Sequence, residues 1–165
     1  MTKLRHFDNE GTARFVTFCC YRNLPLLKDD RAKRILIEEI EQARVKHNFR
    51  LFAYVIMPEH VHMVIHPPEG MRLGLVIGEI KSRSARRLLA QDRLLAAEKT
   101  RVFWMRRCYD HNCRTLETTL EKIRHCHNNP VNRGVVTDPA VWAWSSFGCY
   151  HGATDVLLAV DLVEL

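Results

Sequence analysis

Two histidines separated by one residue are the feature of this 165-residue chain with the clearest chemical meaning. They lie in the segment 57–62 (MPEHVH), directly after Pro58 and Glu59, which end the apolar run before them. On a strand, side chains alternate between faces, so His60 and His62 project from one face and can bind a single divalent cation. Two ligands leave such a site incomplete, and a third has to come from elsewhere in the chain. The alternative is a pair of surface histidines on an edge strand that bind nothing.

A candidate for the third ligand lies near the C-terminus, in the segment 124–130 (RHCHNNP). His125 and Asn129 are four residues apart, so a helix would place them on one face, where Asn129 offers a carbonyl oxygen. That face could lie over the histidine pair, because the apolar stripe of the same helix points elsewhere. The stripe consists of Leu116, Leu120, Ile123 and His127. The alternative is that Asn128 and Asn129 simply end the helix, as asparagine often does.

The apolar patterns predict the elements that position these residues. Strands are expected at 14–20, 51–57, 60–66 and within 102–112. Helices are expected from Asp29 or Asp30 to about Asn48, from about Leu73 to Ala97, and from a cap at Thr115 to Pro130. The run 51–57 is apolar on both faces, as is typical of a central strand. The resulting order β-α-β-β-α-β-α predicts an α+β fold with a ferredoxin-like antiparallel sheet.

Composition is that of a soluble globular protein and excludes several other classes. Hydrophobic residues make up 47% of the chain and charged residues 27%, which suffices for a domain with its own core. No apolar run approaches the roughly 20 residues of a membrane span, and no secretory signal is visible. The six cysteines form no C-x-x-C motif, so we expect reduced thiols. We therefore expect one cytoplasmic domain over 1–165 without a membrane partner, with a core at about 12–150 and a tail at 151–165.

Positive charge is concentrated in one stretch of the sequence. The net charge is +6, and residues 72–107 contain ten Lys or Arg against three Asp or Glu. Such a local excess indicates an anionic partner, nucleic acid first, although a solvated basic helix would show the same composition. The candidate DNA-binding residues of this stretch are Lys81, Arg83, Arg86, Arg87, Arg106 and Arg107.

The segment MPEHVHMVI resembles the M-P-N-H-x-H motif of the single-tyrosine HUH transposases, and more closely that of the bacterial REP-associated tyrosine transposases. Five further segments match in order: VTFCCYR, IKSRSARRL, FWMRRCYDHNCR, HCHNNPVNRGVV and WAWSSF. The resemblance spans about residues 12–150. It implies a ferredoxin-like core of the HUH transposase type, and cleavage and rejoining of single-stranded DNA beside a hairpin. We expect such a protein to act as a monomer or a homodimer.

The resemblance also assigns residues to a specific chemistry. In this family a tyrosine on the C-terminal helix attacks the scissile phosphorus, forms a 5′-phosphotyrosine link and frees a 3′-OH. A divalent cation, Mg²⁺ or Mn²⁺, held by two histidines and an amide oxygen polarises the phosphate. These ligands correspond here to His60, His62 and Asn129, which lies four residues after the tyrosine position. The tyrosine position itself corresponds to His125, so the chain departs from the family at the nucleophile.

The histidine at the nucleophile position leaves three explanations open. The chain is a degenerate copy that binds metal and DNA without cleaving, or the histidine was introduced to trap an inactive form. In the third explanation the nucleophile is His125 itself or another tyrosine, of which Tyr109 is the best candidate although a place in the core suits it better. We favour impaired or absent strand cleavage. Two further functions stay open: a non-catalytic DNA-binding or regulatory module, and a metal-dependent hydrolase in which water replaces the tyrosine.

Overall fold

A computed structural model describes residues 11–91 and 102–163 of the chain. The strands are β1 (Ala13–Cys20), β2 (Arg50–Ile56), β3 (His60–His66) and β4 (Trp104–Cys113). The helices are α1 (Asp30–His47), α2 (Leu73–Gln91), α3 (Leu116–Asn132) and the one-turn α4 (Phe147–Tyr150), with 3-10 turns at Tyr21–Asn23 and Pro139–Val141. The order β-α-β-β-α-β-α of the long elements confirms the prediction. Residues 92–97, predicted to continue the second helix, lie outside the described residues.

The four strands form one antiparallel sheet in the order β2-β3-β1-β4. β1 pairs with β3 and β4, so β1 and β3 are the inner strands. In the register, His62 lies opposite Thr17 of β1, and Tyr109 of β4 lies opposite Thr17 on the other side. Paired residues project from the same face of a sheet, so these three side chains share one face. This sheet, with its helices, confirms the predicted α+β class of ferredoxin-like type.

The strand β2 lies at an edge of the sheet, so the prediction of a central strand at 51–57 is wrong. Its outer edge is covered by the C-terminal part of the chain. The backbone N–H of Ile56 donates to the carbonyl of Trp144 at 2.8 Å, and the N–H of Asp161 donates to the carbonyl of Leu51 at 2.8 Å. Because β2 is buried along this edge as well as on both faces, it carries the continuous apolar run of a central strand.

The sheet separates two apolar cores. On one face, α1 and α2 pack against alternate residues of β1 and β3, among them Val16, Phe18 and Met63. On the other face, α3 packs against Phe15 and Val64, together with residues of β2. Because side chains alternate along a strand, His60 and His62 of β3 project toward α3, as Val64 does.

The helix α3 begins as predicted and ends later than predicted. Thr115 caps it by accepting a hydrogen bond from the N–H of Thr118 at 3.1 Å. Pro130 does not end the helix, which continues to Asn132, since a proline in the last turn removes only one backbone hydrogen bond. The buried face of the helix also differs from the predicted stripe at the N-terminal end, because Leu116 is 61% exposed. The buried residues of α3 are Thr119, Ile123, Cys126, His127, Asn129 and Pro130.

Two composition-based expectations can be compared with the structure. All six cysteines are free thiols, as expected for a chain without a disulfide framework. Among the described helices, none is long and apolar enough to cross a membrane.

Candidate functional site

The side chains of the three predicted ligands meet between β3 and α3. The Nε2 atom of His60 lies 3.1 Å from Oδ1 of Asn129, and Nε2 of His62 lies 3.2 Å from Nδ2 of the same amide. The two imidazole centroids are 4.6 Å apart. All three residues are less than a tenth exposed. The structure therefore brings together residues that are 67 and 69 positions apart in the sequence.

The second nitrogen of each imidazole is held by a neighbouring side chain. Nδ1 of His60 lies 2.9 Å from a carboxylate oxygen of Glu59, and Nδ1 of His62 lies 2.7 Å from the Thr17 hydroxyl. The same Glu59 oxygen accepts a hydrogen bond from Arg133 at 2.7 Å. Histidine ligands of metals are usually oriented in this way through their other nitrogen. As a result, both Nε2 atoms face Asn129.

Thr17, Glu59 and Arg133 were not identified as site residues from the sequence. Thr17 could be found only through the β1–β3 register, which places it opposite His62. Glu59 directly precedes His60, so the sequence itself places a carboxylate next to a candidate ligand. Arg133 follows α3, and its approach to Glu59 depends on where that helix ends.

The donor set fits a divalent cation. A carboxylate only accepts hydrogen bonds, so Nδ1 of His60 carries the hydrogen that faces Glu59, and Nε2 of a neutral ring is then an acceptor. That acceptor faces Asn129 Oδ1, a second acceptor, at 3.1 Å. A metal ion between them, a second proton, or a 180° rotation of the amide resolves this opposition. Two ligand atoms that bind one octahedral ion at about 2.1 Å lie about 3 Å apart, as His60 Nε2 and Asn129 Oδ1 do at 3.1 Å.

The candidate metal-binding groups are two imidazoles and one amide, and no acidic side chain is among them. Within residues 11–91 and 102–163, no group of three or more His, Cys, Asp or Glu side chains is placed to hold a metal ion. The fit therefore depends on the carbonyl oxygen of Asn129, a type of ligand that suits Mg²⁺ and Mn²⁺.

Burial keeps the candidate ligand His62 neutral. It lowers the pKa of His62 to about 3, and the nearby positive charge of Arg133 lowers it further. The neutral ring retains a lone pair for a metal. Burial raises the pKa of Glu59, but hydrogen bonds and charge from Arg133 and His60 outweigh this effect and hold the pKa below its usual value. Glu59 is therefore a carboxylate at neutral pH.

His125 borders the ligand cluster from α3, one helical turn before Asn129. Its ring centroid is 5.1 Å from that of His62 and 5.5 Å from that of Phe15, with the Phe15 ring at 90°. Partial burial lowers the pKa of His125, and the positive charge of Lys122 lowers it further. A neutral imidazole thus occupies the position that corresponds to the family's tyrosine.

Tyr109 lies at the rim of this site and not in the core, so the expectation of a core role is wrong. Its side chain is 54% exposed, because β4 is an edge strand and α3 packs mainly over β2 and β3. The ring stacks on His111 at 11° and meets the edge of Phe15 at 6.4 Å. Phe15 in turn stacks on His62 at 5.2 Å, which places its ring between Tyr109 and the ligand cluster.

Two of the basic residues predicted to bind DNA form ion pairs within the fold. Arg83 and Arg87 of α2 donate to Glu39 of α1 at 2.7 and 2.9 Å, on the face opposite the histidines. Glu38 also accepts from Arg87, at 2.5 Å. Two arginines of the basic stretch are therefore neutralised by acidic residues that lie far from them in the sequence.

The other basic residues have fewer partners. The ammonium of Lys81 donates to the backbone carbonyls of Met105 and Arg106 at 2.7 and 3.1 Å, which fixes α2 against β4. Arg86, Arg106 and Arg107 are exposed, and in the described part of the chain they form no ion pair.

A buried hydrogen bond fixes α3 over the sheet. Nε2 of His127 lies 3.0 Å from the hydroxyl of Ser146, which also accepts a hydrogen bond from the N–H of Tyr54 in β2 at 3.0 Å. Both His127 and Ser146 are buried. Because Asn129 is two residues further along the same helix, this link holds its amide in place over β3.

Sequence comparisons find one matching family and a similar protein. The family model described as Transposase IS200 like matches residues 9–125, a span that ends at His125. A protein of Haemophilus influenzae named as a REP-associated tyrosine transposase is 25% identical over 134 residues, which cover 74% of this chain and 76% of that protein.

Two solved structures share the fold. A REP-associated tyrosine transposase bound to a REP hairpin aligns with a TM-score of 0.74 and 23% identity, covering 100% of this chain and 95% of the other. A crystal structure described as a transposase from Deinococcus radiodurans aligns with a TM-score of 0.52 and 20% identity, covering 78% and 97%. The family model covers well over half of the sequence, and the chain therefore belongs to the IS200-like transposase family.

Proposed function

We propose that the chain binds single-stranded or hairpin DNA across the α3 face of the sheet and holds a divalent cation, Mg²⁺ or Mn²⁺, at His60, His62 and Asn129. The observation that carries this proposal is that His60 and His62 both contact the Asn129 amide beside His125, His60 Nε2 at 3.1 Å from its oxygen and His62 Nε2 at 3.2 Å from its nitrogen. Family membership supports a role in DNA transposition. The description of a similar structure as bound to a REP hairpin supports a hairpin as the partner.

The residues of the site have distinct tasks in this proposal. The ligands hold the cation, while Glu59 and Thr17 orient the two imidazoles through their Nδ1 atoms. The bound cation supplies polarisation of the scissile phosphate. Arg106 and Arg107 on β4 are exposed and supply charge for phosphate contacts, which give affinity and position but no sequence choice.

We further propose that strand cleavage through a phosphotyrosine is lost in this chain. A phenol oxygen is required to form that link, and His125 offers only imidazole nitrogens. The ring of His125 lies against His62, where it can approach a bound cation or phosphate without forming a stable ester. Tyr109 is accessible, but Phe15 lies between it and the ligands. The chain then acts as a DNA-binding protein, and a regulatory role for its own element is the alternative that His125 favours.

The tail supports the proposal that 1–165 acts as one domain. The described residues after 151 reach back to the first half of the chain. The carboxylate of Asp161 accepts from the N–H of Leu51 at 2.8 Å and from Arg44 at 2.9 Å. A chain shortened at residue 150 would leave the outer edge of β2 partly uncovered.

Fluorescence anisotropy with labelled oligonucleotides tests the proposed DNA binding. The probes are a hairpin with short unpaired extensions of mixed sequence and a blunt duplex of the same length, each measured with and without Mn²⁺. We expect tighter binding to the hairpin than to the duplex, and a further gain with Mn²⁺. Equal affinity for both probes, or no binding to either, would contradict the proposal.

A further inference from the structure

An open cleft lies next to the ligand cluster, at the C-terminal end of α3. Its volume is about 550 Å³, within the range of small-molecule sites. The lining residues are Asn23, Pro25, Glu59, Asn132, Arg133 and Val135. Glu59 connects the two sites, since one of its carboxylate oxygens faces both His60 Nδ1 at 2.9 Å and Arg133 at 2.7 Å. The cleft therefore begins one side chain away from the ligand His60.

The chemistry of the lining matches a nucleobase. Asn23 and Asn132 each present a donor and an acceptor in one plane, and an amide of this kind pairs with the edge of a base. Pro25 and Val135 offer apolar walls for the flat face of a ring. Among the described residues, neither amide makes a side-chain hydrogen bond, so both are free to bind a ligand.

The backbone at the rim is held in an uncommon conformation. Arg22 and Asn23 both have left-handed φ angles, 53° and 55°. Asparagine tolerates this region, whereas arginine rarely occupies it. The turn is fixed on both sides, because Tyr21 N–H donates to the Phe103 carbonyl at 2.8 Å and Leu24 N–H donates to the Tyr21 carbonyl at 3.1 Å. The rim that carries Asn23 is thus fixed before any ligand binds.

We propose that this cleft binds an unpaired nucleobase of the DNA strand whose phosphate lies at His60, His62 and Asn129. The inference rests on the proposed DNA-binding function and adds a base-recognition site to it. Arg133, 55% exposed at its side chain, lies between the cleft and the cation site, where it can contact the phosphate that joins them. Recognition of a base at this place makes the amides of Asn23 and Asn132 determinants of which strand is held at the cation.

The test compares two hairpins that differ only in the bases of their unpaired extension. One carries ordinary nucleotides, and the other carries abasic nucleotides with the same phosphates. The variant combines Asn23→Gly, which suits the left-handed backbone, with Asn132→Ala. The matched control is Asn128→Ala, an exposed asparagine of α3 that does not line the cleft.

For the unmodified chain and for Asn128→Ala, we expect the ordinary extension to bind about tenfold or more tighter than the abasic one. The double variant should lose most of this difference and keep its affinity for the abasic hairpin. A double variant that retains the full difference would overturn the base site while leaving DNA binding intact. The same conclusion follows if the unmodified chain shows no difference, or if Asn128→Ala loses it equally. Failure of the unmodified chain to bind either hairpin would overturn the proposed function and the base site together.

Discussion

The two faces of the sheet differ in how their polar residues are partnered. On the α1/α2 face, Arg83 and Arg87 are paired with Glu39, whose carboxylate is 1% exposed. On the α3 face, the buried imidazoles converge on an amide, and an exposed Tyr109 lies at the rim. The comparison shows that a local excess of charge along the sequence does not by itself locate a nucleic-acid surface. The partners that neutralise such charge come from another helix and appear only in the folded chain.

The largest expected effect is on metal binding at the α3 face. Replacing His60→Ala and His62→Ala together removes two of three ligands, so we expect the heat of Mn²⁺ binding in isothermal titration calorimetry to disappear. The control is His47→Ala, which removes a histidine paired with Glu79 on the other side of the sheet. If the double variant bound Mn²⁺ as tightly as the unmodified chain, the ion would have to bind elsewhere.

Exposed and ion-paired arginines should also differ in how they affect the salt dependence of DNA binding. Arg106→Ala with Arg107→Ala should weaken hairpin affinity and reduce the slope of log affinity against log salt by about 2, because each arginine neutralises one phosphate. Arg83→Ala with Arg87→Ala should leave that slope nearly unchanged, because Glu38 and Glu39 already neutralise these arginines. The reverse pattern of slopes would place the DNA on the α1/α2 face.

A smaller effect is expected on the stability of the α3 face. Ser146→Ala leaves His127 Nε2 and the N–H of Tyr54 without their buried partner. The free energy of unfolding should fall by about 1–3 kcal/mol in urea denaturation. Ser82→Ala, an exposed serine on α2, serves as the control and should change little. Equal stability of both variants would mean that the His127–Ser146 link does not hold α3.

The smallest expected effect is a pH dependence that belongs to the α1/α2 face. Burial raises the pKa of Glu39, but hydrogen bonds and charge from Arg87 and Arg83 outweigh this and lower the pKa below its usual value. The pKa of such a carboxyl is lower in the folded state than in the unfolded state. As the pH falls, the unfolded state therefore takes up the proton at a higher pH than the folded state does. The contribution of Glu39 to stability is therefore present at neutral pH and is lost as the pH falls below about 4.3, the ordinary pKa of a glutamate side chain.

Urea unfolding between pH 7 and pH 3 measures this contribution. In the double variant Arg83→Ala with Arg87→Ala, the free energy of unfolding at pH 7 should be lower than in the unmodified chain. It should also fall less between pH 7 and pH 3. An acid slope identical to that of the unmodified chain would mean that the two ion pairs do not stabilise the fold.

The sequence predicted those parts of the site that depend on local periodicity. The alternation of a strand was enough to place His60 and His62 on one face, opposite Met63. The third ligand was less secure, because Asn129 could equally have ended its helix, and the family resemblance decided in its favour. The structure places its amide against both histidines.

The features that sequence could not predict depend on neighbours far along the chain. An apolar run indicates that a strand is buried but does not indicate which segment covers it. The run therefore predicted β2 in the centre of the sheet, although Trp144 and Asp161 cover its edge. Tyr109 was expected in the core because an aromatic residue on a strand is usually covered, and its exposure follows from the position of β4 at the edge. The contact between Thr17 and His62 required the strand register.

The central claim is that the site is intact apart from its nucleophile, and formation of a covalent protein–DNA adduct tests it most directly. A hairpin oligonucleotide with unpaired extensions, labelled at its 3′ end, is incubated with Mn²⁺ and analysed on a denaturing gel. This label reports the adduct because a 5′-phosphotyrosine link retains the 3′ fragment. We predict no adduct from the unmodified chain, and a shifted, labelled band from His125→Tyr that disappears when His60→Ala is added. An adduct from the unmodified chain, or none from a folded His125→Tyr variant that binds the same hairpin, would contradict the account.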